Sequence, residues 1–209
     1  MVSAVRAVMK RGSCDDDDMT WQERVRQTWA DFIGPEATPT NERITAGVAA
    51  VGAAIAPVIA RRRGGSVPDA VIASGLAADL WGGAYVNNTR ACARRYHGDG
   101  TEDADRLRFV ALHAHPALIA WLDRHHEGRV RGVAKAAARY GYLIAATQVI
   151  ASRPRYRRSL GYGLTAGGIL LDRVLGGSTA APWFAWAYYP KLLLGHGAAS
   201  LWSDDDLDA

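Results

Sequence analysis

Long uncharged stretches, separated by short clusters of charge, set the pattern of this chain. Residues 44–60 carry no charge and end at Arg61, Arg62 and Arg63. Residues 70–89 are broken only by Asp79. Further uncharged stretches cover 109–122, 140–152, 159–171 and 174–190, and 192–201 continues past Lys191. None shows the period-two alternation of a half-buried strand, so the fold class is all-α. A helix needs about 20 apolar residues to cross a hydrocarbon layer about 30 Å thick. Several stretches fall short of that, and arginines at their ends extend them by snorkelling. The pattern predicts a bundle of about five or six transmembrane helices.

Upstream of the bundle, Thr20 and Glu23 have the spacing of a capping box. Trp21, Val25, Trp29, Phe32 and Ile33 then share one helical face, with Glu23, Arg24, Arg26, Gln27 and Asp31 elsewhere. Gly34 and Pro35 stop the helix. Such an amphipathic helix lies either in the membrane interface or on a protein core. Asp15 to Asp18 form a solvated acidic run, and Met19 is an alternative start. The expected organisation is an acidic tail plus amphipathic helix over 1–43, a helical membrane domain over 44–202 and an acidic tail over 203–209.

Two further patterns favour lipid. Aromatic residues gather near the ends of stretches, among them Trp81, Tyr85, Trp121, Tyr140, Trp183 and Trp186, as in an interfacial belt. Small residues recur at four-residue spacing, as in Ala46, Ala50 and Ala54, or Gly163 and Gly167, which lets helices approach closely. Composition pulls the other way. The mean hydropathy is only −0.10, which keeps a soluble all-helical protein as the alternative.

The net charge of +4 arises from arginine runs beside apolar stretches, not from one basic face. Membrane lipids are therefore the expected partners and nucleic acid is not. Arginines are nearly balanced between the two sides, with a slight lean toward a cytoplasmic N-terminus. Cys14 and Cys92 have no metal-type spacing and make no disulfide framework. The chain has no Walker A, dinucleotide-binding or nucleophile-elbow motif.

Asp79 is the most informative acid, because a carboxylate within an apolar stretch is costly unless paired or hydrated. Gly75, Gly82, Gly83 and Val86 fall near its helical face, and Asn87 and Arg90 follow shortly. His97, His113, His115 and His196 lie in or beside apolar stretches, and Lys191 precedes His196 by five residues. These eight polar residues, Asp79, Asn87, Arg90, His97, His113, His115, Lys191 and His196, are the expected binding set. Asp79, His113, His115 and His196 are the candidates for a divalent metal, since imidazole and carboxylate suit several such ions. No compact metal motif accompanies them, and no other cofactor is evident. Structural clamping of Asp79 by a neighbouring helix is the alternative.

The succession Asp79-Leu80-Trp81-Gly82-Gly83, Asn87-Asn88-Thr89-Arg90, Arg95-Tyr96-His97, Leu112-His113-Ala114-His115-Pro116 and then Lys191 to His196 resembles a family of small uncharacterised prokaryotic multi-pass membrane proteins. The resemblance covers residues 44–197 and implies a location in the cell membrane, with no mechanism attached. The expected function is binding of a lipid, small solute or partner protein. The alternative is a membrane-embedded, metal-dependent enzyme using Asp79 and the histidines.

Overall fold

A computed structural model describes residues 20–34, 36–97 and 103–208. The acidic run at 15–18, Met19, Cys14 and Pro35 lie outside the described residues. Within them the protein is all-α, without a strand.

Helix α1, Trp21–Ile33, starts at the expected capping box. The Thr20 hydroxyl accepts from the Glu23 N–H, and the Glu23 carboxylate accepts from the Thr20 N–H at 2.7 Å. It ends at Gly34, whose φ of 92° favours glycine. A Cβ there would also fall 2.8 Å from the Ala91 carbonyl oxygen. Trp21 is exposed and Ile33 is buried, so the apolar face is only partly covered.

Helices α2, Pro39–Arg62, and α3, Val67–Val86, form an antiparallel pair joined by a four-residue turn containing Gly64 at φ 85°. Both start alike: Thr38 and Ser66 cap the first turns, and a proline stands where no N–H is needed. Small residues bring the pair together. A Cβ on Gly52 would meet the Ala77 carbonyl and the Trp81 ring at 3.0 Å, and one on Gly82 would meet the Ala49 methyl at 3.1 Å. Ser74 Oγ donates across the pair to the Ala53 carbonyl at 2.8 Å. Close approach by small residues is therefore present, but at other positions than the expected stripe. Ala46, Ala50 and Ala54 are exposed, while Thr45, Gly52, Ala56 and Ala60 are buried.

The chain continues through three short helices: α4, Arg90–His97, α5, Asp103–Ala111, and α6, His115–Leu122. The uncharged stretch 109–122 is thus two helices, not one. Leu112 to Ala114 turn between them, and Pro116 sits in the first turn of α6, where its missing N–H costs nothing. Two longer helices follow, α7, Arg129–Ala151, and α8, Arg157–Val174. The stretch 174–190 is also broken. Residues 175–183 are non-helical, with Gly176 and Gly177 at φ 92° and 62°, before α9, Phe184–Tyr189. A π-helical segment, Pro190–Gly197, continues α9, and α10, Asp204–Asp208, closes the described chain.

Leu80, Ile119, Leu143, Phe184, Tyr188 and Leu192 lie at the centre of the core, gathered from α3, α6, α7, α9 and the π segment. Among the described residues α2 alone is long and apolar enough to cross a membrane. The expected acidic tail is in part a docked helix: Ser203 caps α10, Leu207 is buried, and Arg90 and Arg94 donate to the carbonyls of Asp206 and Leu207.

Candidate functional site

Asp79 lies on the face of α3 that meets the π segment, and Lys191 approaches it from there. The ammonium stands 2.7 Å from Asp79 Oδ2. His115, the first residue of α6, places Nε2 3.2 Å from the same oxygen. Three elements thus converge on one carboxylate oxygen. The exposures are unequal: the Lys191 side chain is 1% exposed, His115 18% and Asp79 39%. The cation is sealed in, and the carboxylate is the open member.

Glycine makes room for this arrangement. A Cβ on Gly83, one turn after Asp79, would lie 2.5 Å from Lys191 Cδ and Cε. The lysine stem therefore runs over bare backbone. Beyond it, Asn87 Nδ2 donates to the Lys191 carbonyl and Asn88 Nδ2 to the Pro190 carbonyl, each at 3.2 Å. A π-helix leaves carbonyls off the α-helical pattern, and these two amides hold the segment to the end of α3. Gly195 completes the contact, since a Cβ there would meet the Asn87 carbonyl oxygen at 2.7 Å.

His113, His196 and His97 follow beside the carboxylate. The His113 and His115 ring centroids are 5.1 Å apart. His113 Nδ1 donates to the Phe109 carbonyl at 2.7 Å, and the Tyr188 hydroxyl donates to the His113 carbonyl at 2.9 Å. His196 stacks on Phe109 at 3.8 Å and lies edge-on to Tyr96 at 4.4 Å. His97 Nε2 donates to the His196 carbonyl at 2.8 Å. Burial is the main influence on His97 and pulls its pKa down to about 4, against the opposing pull of that carbonyl. Burial likewise pushes the Cys92 thiol up to about 12, and its S–H points to Asn87 Oδ1 at 3.6 Å.

Of the expected set, Asp79, His115 and Lys191 meet directly. His113 adjoins His115, His97 holds the backbone of His196, and Asn87 holds that of Lys191. Arg90 stands apart: it is exposed and donates to the Asp206 carbonyl at 2.8 Å. Among the described residues no three histidine, cysteine or acidic side chains meet in metal-binding geometry. The Lys191 ammonium occupies a position on Asp79 Oδ2 where a cation would bind. Sequence reading missed Gly83 as the lysine's channel, Asn88 as a tether, and Tyr96 and Phe109 as the slot for His196. The only signal was the glycine pair directly after Asp79-Leu80-Trp81.

Four further ion pairs lie at least partly inside the bundle. Arg139 Nε donates to Asp172 at 2.7 Å, and Arg124 to Asp69 at 2.6 Å. Lys135 pairs with Glu127, and Arg157 with Asp204 at 2.5 Å. The arrangement at Asp79 can fix an imidazole, keep a lysine charged and leave one carboxylate edge open to an incoming donor. The chain matches no protein-family model, no curated protein and no solved structure.

Proposed function

We propose that this is an integral membrane protein of the helical-bundle type, whose polar interior at Asp79, Lys191 and His115 receives a small polar solute. One observation carries the membrane reading: the one described helix long and apolar enough to cross a membrane leaves most of that apolar stretch uncovered. Only 22% of the most apolar stretch of α2 is buried. Ile44, Val51, Ile55 and Val58 are exposed along it, with charges confined to its ends at Glu42, Arg43 and Arg61 to Arg63. In water such a helix would turn this face inward. At 24 residues it is ~36 Å long, enough for a hydrocarbon layer. Val71, Leu118, Val133, Leu170 and Trp186 extend the exposed apolar surface to other helices, while the Lys135–Glu127 and Arg139–Asp172 pairs lie inside.

The solute reading follows from the unequal exposure at the site. Intramembrane ionisable groups face a polar cavity or one another and mark the paths of solutes and ions. Asp79 does both. Fractionation after expression tests the membrane reading: the protein is expected to stay with membranes washed in carbonate, and quantitative release would overturn it. A second reading, catalysis at the same site, is favoured by His115. With Nε2 held at Asp79, its Nδ1 is the free ring nitrogen, and that atom has no hydrogen-bond partner among the described residues.

A further inference from the structure

A cavity of about 540 Å³ lies at the opposite end of α3 from the Lys191 tethers, between α6 and α7. Its walls are Ala117, Ala120, Gly132 and Val133, and Trp121, Arg124 and Arg129 stand around them. Gly132 leaves part of this space open, since the Ala120 methyl is 3.8 Å from where its Cβ would be. Leu118, Trp121, Val130 and Val133 are all exposed beside it.

The charges do not cancel. Arg124 is committed to Asp69 by two hydrogen bonds, at 2.6 and 3.2 Å, and its guanidinium lies over the Trp121 ring at 4.3 Å. Glu127, the acid at the cavity, is paired with Lys135. Arg129 has no ion-pair partner among the described residues and is exposed. Arg61 to Arg63 end α2 on the same side of the α2–α3 pair as Asp69. Gly128 gives α7 no side-chain cap, so the first-turn N–H groups also favour negative charge.

We propose that this cavity seats one anionic phospholipid, with the phosphate at Arg129 and the start of an acyl chain along Ala117, Ala120, Gly132 and Val133. Apolar walls that open onto exposed apolar surface suit a chain, and the uncompensated guanidinium selects an anionic headgroup over a zwitterionic one. The assignment rests on the membrane reading above. The full chain in a neutral detergent would be titrated with short-chain phosphatidylglycerol, short-chain phosphatidylcholine or inorganic phosphate. Bound lipid would be counted by native mass spectrometry, and melting temperature followed in parallel.

Phosphatidylglycerol is expected to be retained and to raise the melting temperature by several degrees, with the other two ineffective. Arg129→Gln should weaken phosphatidylglycerol about tenfold. Gly132→Leu, which fills the cavity, should abolish its retention, and Ala145→Leu, on an exposed position of the same helix, should change nothing. Equal retention of the two lipids, or indifference to both Arg129→Gln and Gly132→Leu, would overturn the proposal. Saturation by phosphate alone would mark an anion site without a chain and overturn it too. A protein that resists carbonate yet shows no lipid preference keeps the membrane reading and loses this one. Release by carbonate removes the membrane reading whatever the titration gives.

Discussion

Lys191 and Asp79 are unequal partners, and that inequality makes a prediction opposite to the usual expectation for a semi-exposed acid. Removing Asp79 strands an ammonium that is 1% exposed, whereas removing Lys191 leaves a carboxylate that solvent still reaches. Asp79→Asn is therefore expected to cost ~2–4 kcal/mol and Lys191→Met less than half of that. The double variant should be more stable than Asp79→Asn alone, and chemical denaturation in detergent reads all three. A Lys191→Met variant weaker than Asp79→Asn would contradict this picture. Cys92 gives a second check at this scale. It is 1% exposed and its pKa is pushed up to about 12, so it should resist alkylation near neutral pH until the protein unfolds. Prompt labelling of the folded protein would show that the contact with Asn87 opens.

His97 contributes to the pH dependence of stability. Folded, its pKa is pulled from 6.5 to about 4, so between those values the unfolded chain binds the proton and the folded one does not. Its contribution is full above about pH 6.5 and is lost progressively as pH falls to about 4. The expected loss is of order 2 kcal/mol across that window. His97→Gln, which retains a donor for the His196 carbonyl, should make the loss smaller, as thermal melts between pH 4 and 7 would reveal. An identical slope in the variant would place the acid sensitivity elsewhere.

At the scale of elements, periodicity was informative about type and weak about register. All-α structure, the capping box at Thr20 and the stop at Gly34 were legible, because each depends on a few adjacent residues. Which small residues of α2 pack was not. Ala46, Ala50 and Ala54 and the buried set of Gly52, Ala56 and Ala60 have the same spacing, and nothing local separates the two stripes. The partner decides: Trp81 and Ala77 on α3 leave room only for the glycine. Gly52→Leu is accordingly expected to cost ~1–3 kcal/mol by wedging the pair apart, and Ala50→Leu to stay within about 0.5 kcal/mol. Comparable losses in both would return the packing face to the alanine stripe. The breaks at 112–114 and 175–183 were hidden for a related reason. An uncharged run looks continuous, whereas Pro116 and the pair Gly176 and Gly177 set the backbone.

For the whole molecule, the polar interior was legible only in part. Asp79 stood out because its own stretch was apolar. The convergence of His115 and Lys191 upon it, across separations of 36 and 112 residues, depends on how α6 and the π segment dock. Arg139, Lys135 and Arg157 were invisible as interior residues, since a charged residue flanking an apolar stretch looks the same whether it reaches solvent or an acid. The C-terminal helix is one product of that docking. Arg157 donates to the carbonyls of Ala198 and Ala199 as well as to Asp204, which ties α8 to the end of the chain. Arg157→Met should then loosen residues 198–208 before the rest, and hydrogen exchange should report earlier opening there than in α3. Uniform protection in the variant would show that Leu207 and the bonds from Arg90 and Arg94 hold the segment without Arg157.

The π segment also bears on how the site tolerates changes in chain length. In an α-helix, residues five apart point about 140° away from each other; in a π-helix they are one turn apart. Lys191 and His196 are such a pair, and both are turned inward. Taking out one residue between them would let Pro190–Gly197 relax into an ordinary α-helix with better hydrogen bonds. The same deletion would swing either the ammonium away from Asp79 or the imidazole out of its slot between Tyr96 and Phe109. A length variant of this kind would be locally more regular and would lose one of the two inward groups, so the spacing between Lys191 and His196 is itself part of the site.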